Sequence, residues 1–283
     1  MKKTKHTKYE LICLDLDGTL LASNHRMSER TIKTLRQVEK LGVKIAIVTG
    51  RPGYDAQYHA KLIGNQTYYV GSNGTVAGCV GKDDIIFEES ISKERLELLR
   101  LISKQIGVKP VLLTKDQTII HGFKDFIMHK LMSKIFPHDR GKHMKYIPNA
   151  HRFYTWMREE KTSIQKAMFF ISDRKKAANA KKVLAAYPDF EVAVTSDICF
   201  EMTEKGMHKG HGVKKLIEHI HIPVEKVIAF GDSENDRAML KYVGHGVAMG
   251  NAPDNIKAIA KTIADTNDED GVAKVLQEIY ALD

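Results

Sequence analysis

Short apolar runs alternate with amphipathic helical stretches over residues 9–70 and again over residues 226–282. Near the start of the chain, an apolar run over residues 9–16 precedes a helical stripe over residues 28–41 and a second apolar run over residues 43–48. Strand–helix–strand units of this kind form parallel sheets, because each helical crossover returns the chain to the same end of the sheet. The alternation predicts an α/β fold with a doubly wound, Rossmann-like parallel sheet.

The middle of the chain departs from this alternation. Helices are predicted over residues 93–106 and 123–135, but the strands around them follow no regular order. Such a mixture is typical of an α+β unit. We therefore expect a discontinuous core formed by residues 1–84 and 198–283, with an α+β domain inserted between them at residues 85–197.

Composition excludes some classes of protein. Lys and Arg number 44 against 35 Asp and Glu, but they are dispersed along the chain, which favours a solvated surface over a nucleic-acid-binding patch. No apolar run approaches the roughly 18 residues that a membrane-spanning helix needs. The basic residues 1–8 precede an apolar run that is too short for the core of a signal peptide. The three cysteines lack metal-ligand spacing. We expect a cytoplasmic protein without membrane contact.

The first apolar run ends in the sequence Asp15-Leu16-Asp17-Gly18-Thr19. Open α/β sheets bind ligands at the carboxyl ends of their strands. Two carboxylates two residues apart project to the same side of an extended chain, and Gly18 lets the backbone turn away from them. Taken alone, the sequence also fits an ordinary loop or part of a calcium loop, although position 12 of an EF-hand that starts at Asp15 is Arg26 instead of glutamate.

A second acidic turn, residues 231–236, follows another apolar run and opens a helix. Asp232 fits as the partner of Asp15 in holding a hard cation such as Mg²⁺, which binds few carboxylates and keeps oxygens of water or phosphate. Paired carboxylates repel each other unless a cation or a proton lies between them. Asp236 fits equally well as a carboxylate that the helix dipole favours.

Two further positions could bind an anion. Thr49 and Gly50 end the second apolar run and offer a hydroxyl and backbone amides near a helix start, although a plain turn explains them as well. Lys209 precedes an apolar helical stripe and could place its ammonium in the same cleft, although a lone lysine usually lies on the surface. Three turn residues could also line the cleft: Asn73, Asn235 and Asn251.

The chain resembles the haloacid dehalogenase-like superfamily, because four segments match its motifs in order: Asp15-Leu16-Asp17-Gly18-Thr19, Thr49-Gly50-Arg51, Lys209-Gly210 and residues 231–236. It is most similar to the Cof-type phosphatases with a class IIB cap, because the insertion follows Ser72-Asn73-Gly74. The resemblance implies a Mg²⁺-dependent phosphatase of small phosphorylated metabolites, such as sugar phosphates, nucleotides or phosphorylated cofactors. The inserted domain would be a cap that selects the leaving group.

The same resemblance implies residue roles. Asp15 would attack phosphorus and carry an aspartyl-phosphate, while Asp17 would protonate the leaving group and then activate water. Thr49 and Lys209 would be catalytic by holding the phosphoryl oxygens, with Gly50 beside them. The Mg²⁺ site would include four aspartates: Asp15, Asp17 through its backbone carbonyl, Asp232 and Asp236. Substrate contacts would come from Thr49, Gly50, Lys209 and the three asparagines, Asn73, Asn235 and Asn251.

Other interpretations fit parts of this pattern. A phosphomutase or phosphotransferase would use the same aspartyl-phosphate but return the phosphoryl group to a second acceptor. A non-catalytic protein could use the net charge of +9 to bind nucleic acid, although no recognisable nucleic-acid-binding motif is present. In the inserted domain, the basic and aromatic residues 145–158 could contact a sugar or a base, although ordinary packing explains them more simply.

Overall fold

The structure is a computed structural model that describes residues 8–82, 85–123, 126–127, 130, 143–159 and 163–282. Most of the helix predicted over residues 123–135, and the basic residues 1–7, lie outside this description. Within the described residues, no helix is both long enough and apolar enough to span a bilayer.

The strands are β1 Leu11–Leu14, β2 Lys44–Val48, β3 Tyr68–Gly71, β4 Val76–Cys79, β5 Ile85–Glu88, β6 Val111–Leu113, β7 Thr118–Ile120, β8 Met144–Tyr146, β9 Lys166–Phe170, β10 Phe190–Ser196, β11 Cys199–Glu204, β12 Val227–Gly231, β13 His245–Ala248 and β14 Thr262–Ile263. The α-helices are α1 Glu29–Lys40, α2 Gly53–Ile63, α3 Lys93–Ile106, α4 Ala150–Arg158, α5 Arg174–Ala185, α6 Lys209–Ile220, α7 Arg237–Tyr242, α8 Asp254–Lys257 and α9 Gly271–Tyr280.

The larger sheet has the strand order β14-β13-β12-β1-β2-β3-β4-β5. Its neighbours are parallel from β14 to β3 and antiparallel from β3 to β5. Strand β1 lies in the middle of the parallel part and is buried on both faces, as expected for a strand covered by crossover helices. Ile12 and Leu14 pack in one cluster with residues of α1, α2 and α9, while Leu11 and Cys13 pack with residues of α6, α7 and α8.

Local sequence explains where the first crossover helix begins and ends. Ser28 accepts a hydrogen bond from the backbone N–H of Thr31, which caps the start of α1. Leu35 and Val38 lie on its buried face, as the apolar stripe predicted. Gly42 then adopts a φ of +89°, a conformation that favours glycine and turns the chain into β2.

The smaller sheet has the strand order β10-β11-β9-β6-β7-β8 and is antiparallel except between β7 and β8. One face packs against α3, α4 and α5 in a second core that contains Leu99, Phe153 and Leu184. The predicted fold class, an α/β core with an inserted α+β domain, is confirmed. We call the unit built on the smaller sheet the cap.

Strand pairing suggests domain boundaries slightly later than those expected from the sequence. Strand β5 follows residue 84 but pairs with β4 in the larger sheet, and β11 follows residue 197 but pairs with β9 and β10 in the smaller sheet. Each of these strands pairs with the strand just before it through a short hairpin, so the change of pattern in the sequence falls inside a hairpin and not at its end. We therefore propose crossings between β5 and α3 and between β11 and α6, and the division into two domains stays a proposal.

Candidate active site

Three adjacent parallel strands bring the predicted site residues together. Asp15 follows β1, Thr49 follows β2 and Asp232 follows β12, and these strands are neighbours in the order β12-β1-β2. Lys209 is the first residue of α6. Because the carboxyl ends of parallel strands share one edge of the sheet, side chains from distant parts of the sequence meet there.

Lys209 lies at the centre of this cluster. Its Nζ donates to Oδ1 of Asp15 at 2.6 Å and to Oδ1 of Asp236 at 2.7 Å, and only 1% of its side chain is exposed. Burial lowers the pKa of the ammonium, but the two carboxylates outweigh burial and raise the pKa above its usual value. Lys209 is therefore a buried, permanently charged cation and not the surface lysine that its sequence context alone allowed.

Asp236 fixes the position of that ammonium. Its Oδ2 accepts the backbone N–H groups of Asp232 at 3.1 Å and of Ser233 at 3.0 Å, while its Oδ1 accepts from Lys209. The carboxylate is fully buried and caps the short 3₁₀ turn Glu234–Asp236. Both oxygens of Asp236 thus have hydrogen-bond partners, which gives its predicted place at a helix start a structural basis and lets it also orient Lys209.

The three buried or half-buried carboxylates of the site form a cluster that fits a divalent cation. Oxygen atoms of Asp15, Asp232 and Asp236 lie within 4.8 Å of one another. Burial raises the pKa of Asp15 well above its usual range, and Asp236 adds to the effect against the opposing charge of Lys209. Burial and Asp236 likewise raise the pKa of Asp232 to about 6. Three carboxylates and one ammonium leave two negative charges without compensation when all are ionised, which suits Mg²⁺.

Gly18 leaves room for this cluster. It adopts a φ of +74°, and a Cβ atom added to it would lie 2.4 Å from Oδ2 of Asp232. On the other side, the hydroxyl of Thr19 donates to Oδ1 of Asp232 at 3.1 Å. The backbone turn after β1 therefore both admits and orients the Asp232 carboxylate.

Asp17 is held apart from the other three aspartates. Arg51 donates from Nε to Oδ2 of Asp17 at 2.7 Å and makes a second contact from Nη2 to Oδ1, so the pair is bidentate. Arg51 also donates from Nη1 to Oδ2 of Asp55 at 3.5 Å and lies 3.1 Å from Nε2 of His59. Asp55 and His59 are buried on α2, whereas 55% of the Asp17 side chain is exposed.

The sequence assigned no role to Arg51, although Arg51 lies within the matched motif. Asp55 and His59 could have pointed to it, because two polar residues four positions apart share one face of a helix. That face of α2 is buried against the core, and a buried polar pair requires a partner.

Thr49 and the loop after it face the same edge of the sheet. Thr49 is 1% exposed, and its Oγ1 accepts the backbone N–H of Arg51 at 3.2 Å. Because that oxygen accepts from its own loop, its hydroxyl hydrogen remains available to donate to another acceptor. This arrangement suits a ligand with anionic oxygens.

Two cap residues that the sequence analysis missed reach this loop. Lys166 Nζ lies 2.9 Å from Oε1 of Glu201 and also donates to the backbone carbonyl of Gly50. Nδ2 of Asn73 donates to Oε2 of Glu201 at 2.6 Å. Lys166 is the one charged residue of β9 and Glu201 is buried in β11, and a charged residue in a buried strand was the available signal.

A cavity of about 610 Å³ connects these groups. Its core side includes six of the predicted residues: Asp15, Asp17, Thr49, Gly50, Asp232 and Asn235. Two predicted asparagines make other contacts. Asn73 bonds to Glu201, and Asn251 donates to the backbone carbonyl of Gly18 at 2.8 Å while accepting from the backbone N–H of Asn267 at 3.1 Å. Asn251 thus ties a distant turn to the loop after β1.

The basic and aromatic residues 145–158 belong mainly to the packing of the cap. Phe153 and Met157 are fully buried in the core of the cap, and Tyr154 and Trp156 pack against the same core. Lys145 Nζ lies 5.3 Å from the ring centre of Trp156. These contacts favour the simpler interpretation, ordinary packing, over direct contact with a sugar or a base.

Known proteins resemble this chain over nearly its whole length. It is similar to Phosphatase YwpJ of Bacillus subtilis (strain 168), with 28% identity over 284 residues that cover 95% of this chain and 99% of YwpJ. It is also similar to 5-amino-6-(5-phospho-D-ribitylamino)uracil phosphatase YitU of the same organism, with 28% identity over 284 residues that cover 98% of this chain and 99% of YitU. The family model of haloacid dehalogenase-like hydrolases matches residues 12–276. The chain belongs to the haloacid dehalogenase-like hydrolase family.

The fold of this haloacid dehalogenase-like hydrolase has a solved counterpart. A haloacid dehalogenase-like hydrolase from Bacteroides thetaiotaomicron matches it with a TM-score of 0.81 and 25% identity, covering 96% of this chain and 100% of that one. The predicted kinship with Cof-type phosphatases is confirmed, and the chain is an enzyme of this hydrolase family.

Proposed function

We propose that this haloacid dehalogenase-like hydrolase is a Mg²⁺-dependent phosphatase that hydrolyses small phosphorylated metabolites through an aspartyl-phosphate on Asp15. One observation carries the proposal. Asp15 lies at the cavity wall, among carboxylates whose charge exceeds that of the buried Lys209 by two. Mg²⁺, when bound, would supply the positive charge that keeps Asp15 ionised and reduces its repulsion from a phosphate.

The residues that would hold the metal are those with an oxygen atom that faces the cavity. Asp15 and Asp232 line the cavity, as does Asp17, whose backbone carbonyl we propose as the third ligand. Asp236 has both oxygens bonded within the protein, so we propose that it acts mainly by positioning Lys209. This narrows the four-aspartate site that the resemblance implied to three direct ligands.

Asp15 would form the new bond to phosphorus while the bond between phosphorus and the leaving oxygen breaks. Lys209 lies beside the Asp15 carboxylate and would balance charge on the phosphoryl oxygens, which Thr49 would also hold through its hydroxyl. Water would then attack the aspartyl-phosphate, releasing inorganic phosphate and restoring the Asp15 carboxylate.

Asp17 would donate the proton to the leaving oxygen and later accept one from the attacking water. In the structure its carboxylate is held by Arg51. Proton transfer therefore requires Asp17 to exchange this ion pair for contact with the substrate. Arg51, supported by Asp55 and His59, would hold Asp17 near the cavity between turnovers, and Asp17 would take up the proton that it donates once it leaves Arg51.

Two further features support the proposed substrates and the proposed cellular location. The relative YitU is named for a small phosphorylated substrate, which supports small phosphate esters as the partners of this chain. The three cysteines, Cys13, Cys79 and Cys199, are buried free thiols, which supports the proposed cytoplasmic location.

Phosphate release tests the proposal directly. We expect hydrolysis of p-nitrophenyl phosphate in Mg²⁺, none in EDTA, and at least about a thousandfold loss for Asp15→Asn. Asp265→Asn is the matched control, because the Asp265 side chain is 55% exposed and bonds only to Lys274. Release of p-nitrophenol that appears only after a second phosphoryl acceptor is added, with the phosphoryl group on that acceptor and no inorganic phosphate formed, would instead identify a phosphomutase or phosphotransferase.

A further inference from the structure

The cap side of the cavity is an apolar surface. It consists of side chains from neighbouring strands of the smaller sheet: Val111 and Leu113 on β6, Met144 on β8, and Met168 and Phe170 on β9. Val111 and Met168 are directly paired in register, and residues two apart on a strand share a face. These side chains therefore stand side by side over the cavity.

The polar groups on this side are already bonded to one another. The hydroxyl of Tyr54 lies 2.9 Å from Oγ1 of Thr118, and Lys166 is bonded to Glu201 and to the carbonyl of Gly50. Among the described lining residues of the cap, few hydrogen-bonding groups remain for a ligand. A polyhydroxylated leaving group would lose water from its hydroxyls here without gaining equivalent partners.

We propose that the cap side of the cavity binds a heteroaromatic ring, so that the preferred substrates are phosphate monoesters whose alcohol carries such a ring. This inference rests on the proposed phosphatase function. A planar ring buries a large apolar area with few rotatable bonds and can stack on Phe170 or contact the sulfurs of Met144 and Met168. A ring nitrogen or carbonyl needs a single polar partner, and the Thr118 hydroxyl, which makes one bond to Tyr54, can form a second one with it.

The size and position of the cavity agree with this occupant. A volume of about 610 Å³ lies within the range of about 300–1,000 Å³ that is usual for small-molecule sites. The same cavity contains Asp15 and Thr49, so a phosphate held there leaves the rest of the molecule against the apolar cap surface. Phe170 is 42% exposed and lines the cavity, so part of its ring is accessible to a ligand there.

Two pairs of substrates that differ only by the ring test the inference. Uridine 5′-monophosphate is compared with ribose 5-phosphate, and flavin mononucleotide with ribitol 5-phosphate. We expect kcat/KM to be at least about tenfold higher for the ring-bearing member of one pair or both, the size of effect that apolar contacts in a pocket produce. Equal or higher values for the ring-free member in both pairs would overturn the inference.

A matched pair of variants locates the effect. Phe170→Ser removes an exposed apolar side chain from the cavity, whereas Leu101→Ser removes one that is 46% exposed on α3 and outside the cavity lining. We expect the ratio of kcat/KM between ring-bearing and ring-free substrates to fall several-fold in Phe170→Ser and to stay constant in Leu101→Ser. An unchanged ratio in Phe170→Ser contradicts a ring at this surface.

Hydrolysis of acetyl phosphate separates this inference from the proposed function, because its leaving group is too small to use the cap surface. Mg²⁺-dependent hydrolysis of acetyl phosphate without preference for rings leaves the function standing and overturns the inference. If acetyl phosphate and all four esters resist hydrolysis, the proposed function fails. Calorimetric binding of the same pairs to the wild-type protein then decides the inference, with tighter binding of the ring-bearing members expected and equal binding overturning it.

Discussion

Lys209 and Asp15 are 194 positions apart in the sequence, yet their side chains meet at 2.6 Å in the buried edge of the larger sheet. The ammonium is the cation that pairs with both Asp15 and Asp236. Removing one partner of a buried ion pair leaves the other partner buried and unpaired, which is usually more costly than the pair itself is stabilising.

We therefore expect Lys209→Met to lower the free energy of unfolding by about 3–5 kcal/mol in EDTA. Urea unfolding followed by circular dichroism measures this value. Lys214→Met on the same helix is the control, because the Lys214 side chain is 55% exposed, and its effect should stay within about 0.5 kcal/mol. Equal stability of the two variants would show that Lys209 does not compensate the negative charge of the buried carboxylates.

A comparison of Gly18 with Gly42 separates the effect of backbone strain from the effect of a side-chain clash with Asp232. Both have positive φ values, +74° and +89°, but an added Cβ meets Asp232 at Gly18 and nothing within 4 Å at Gly42. We expect Gly42→Ala to cost about 1 kcal/mol of stability through backbone strain alone. Gly18→Ala should cost more and also weaken Mg²⁺ binding, measured by calorimetry, at least about tenfold. Unchanged Mg²⁺ affinity in Gly18→Ala would argue against Asp232 as a ligand.

Asp17→Asn should affect substrates according to their leaving groups. An alkoxide needs a proton to leave, whereas p-nitrophenolate and acetate do not, so the loss of the acid slows alkyl phosphates most. We expect phosphoryl transfer to Asp15 to slow by about 10²–10⁴ for an alkyl phosphate and far less for acetyl phosphate, measured in single-turnover experiments. An equal loss of rate for both substrates would indicate that Asp17 positions the substrate and does not protonate the leaving group.

The pKa of Asp232 predicts how stability depends on pH. In the metal-free protein, burial and Asp236 raise this pKa to about 6, above the value of about 3.9 in an unfolded chain. A carboxyl whose pKa is higher in the folded state contributes stability that is complete below the unfolded pKa and is lost as pH rises through the folded pKa. The contribution of Asp232 in EDTA should therefore disappear between about pH 4 and pH 6.

Thermal unfolding of the wild type and Asp232→Asn in EDTA isolates this contribution. The difference between their unfolding temperatures should change over that window, with the wild type losing stability relative to the variant as pH rises. Mg²⁺ should raise the unfolding temperature of the wild type more above pH 6 than below it, because protons then no longer compete for Asp232. Parallel curves for both proteins at every pH would contradict the raised pKa.

The sequence predicted that residues of the core meet at one edge of the sheet because its signals there are local. Asp15, Thr49 and Asp232 each follow a buried strand, and parallel pairing alone brings strand ends together. The position of Asp17 beside Arg51 was not predicted, because this contact depends on side-chain directions and on the buried Asp55 and His59 beneath them.

The cap was harder to predict for a related reason. Lys166 and Glu201 come together because β9 and β11 are antiparallel neighbours, and their bonds to Gly50 and Asn73 depend on how the cap meets the core. No local pattern encodes such a pairing. The basic and aromatic residues 145–158 have a distinctive composition but pack mostly in the core of the cap. The wall of the cavity is instead formed by apolar strand residues such as Val111 and Met168, whose composition is ordinary.

The central place of β1 has a consequence for synthesis on the ribosome. Its neighbours are β2, which is made soon after it, and β12, which emerges only after the entire cap. Until then, a nascent chain carries β1 with one open edge, and Asp15 lacks both Lys209 and Asp232. An unfinished chain is thus exposed to wrong strand pairing, and Asp15, the proposed nucleophile, gains its charged partners only after α6 and β12 have been made.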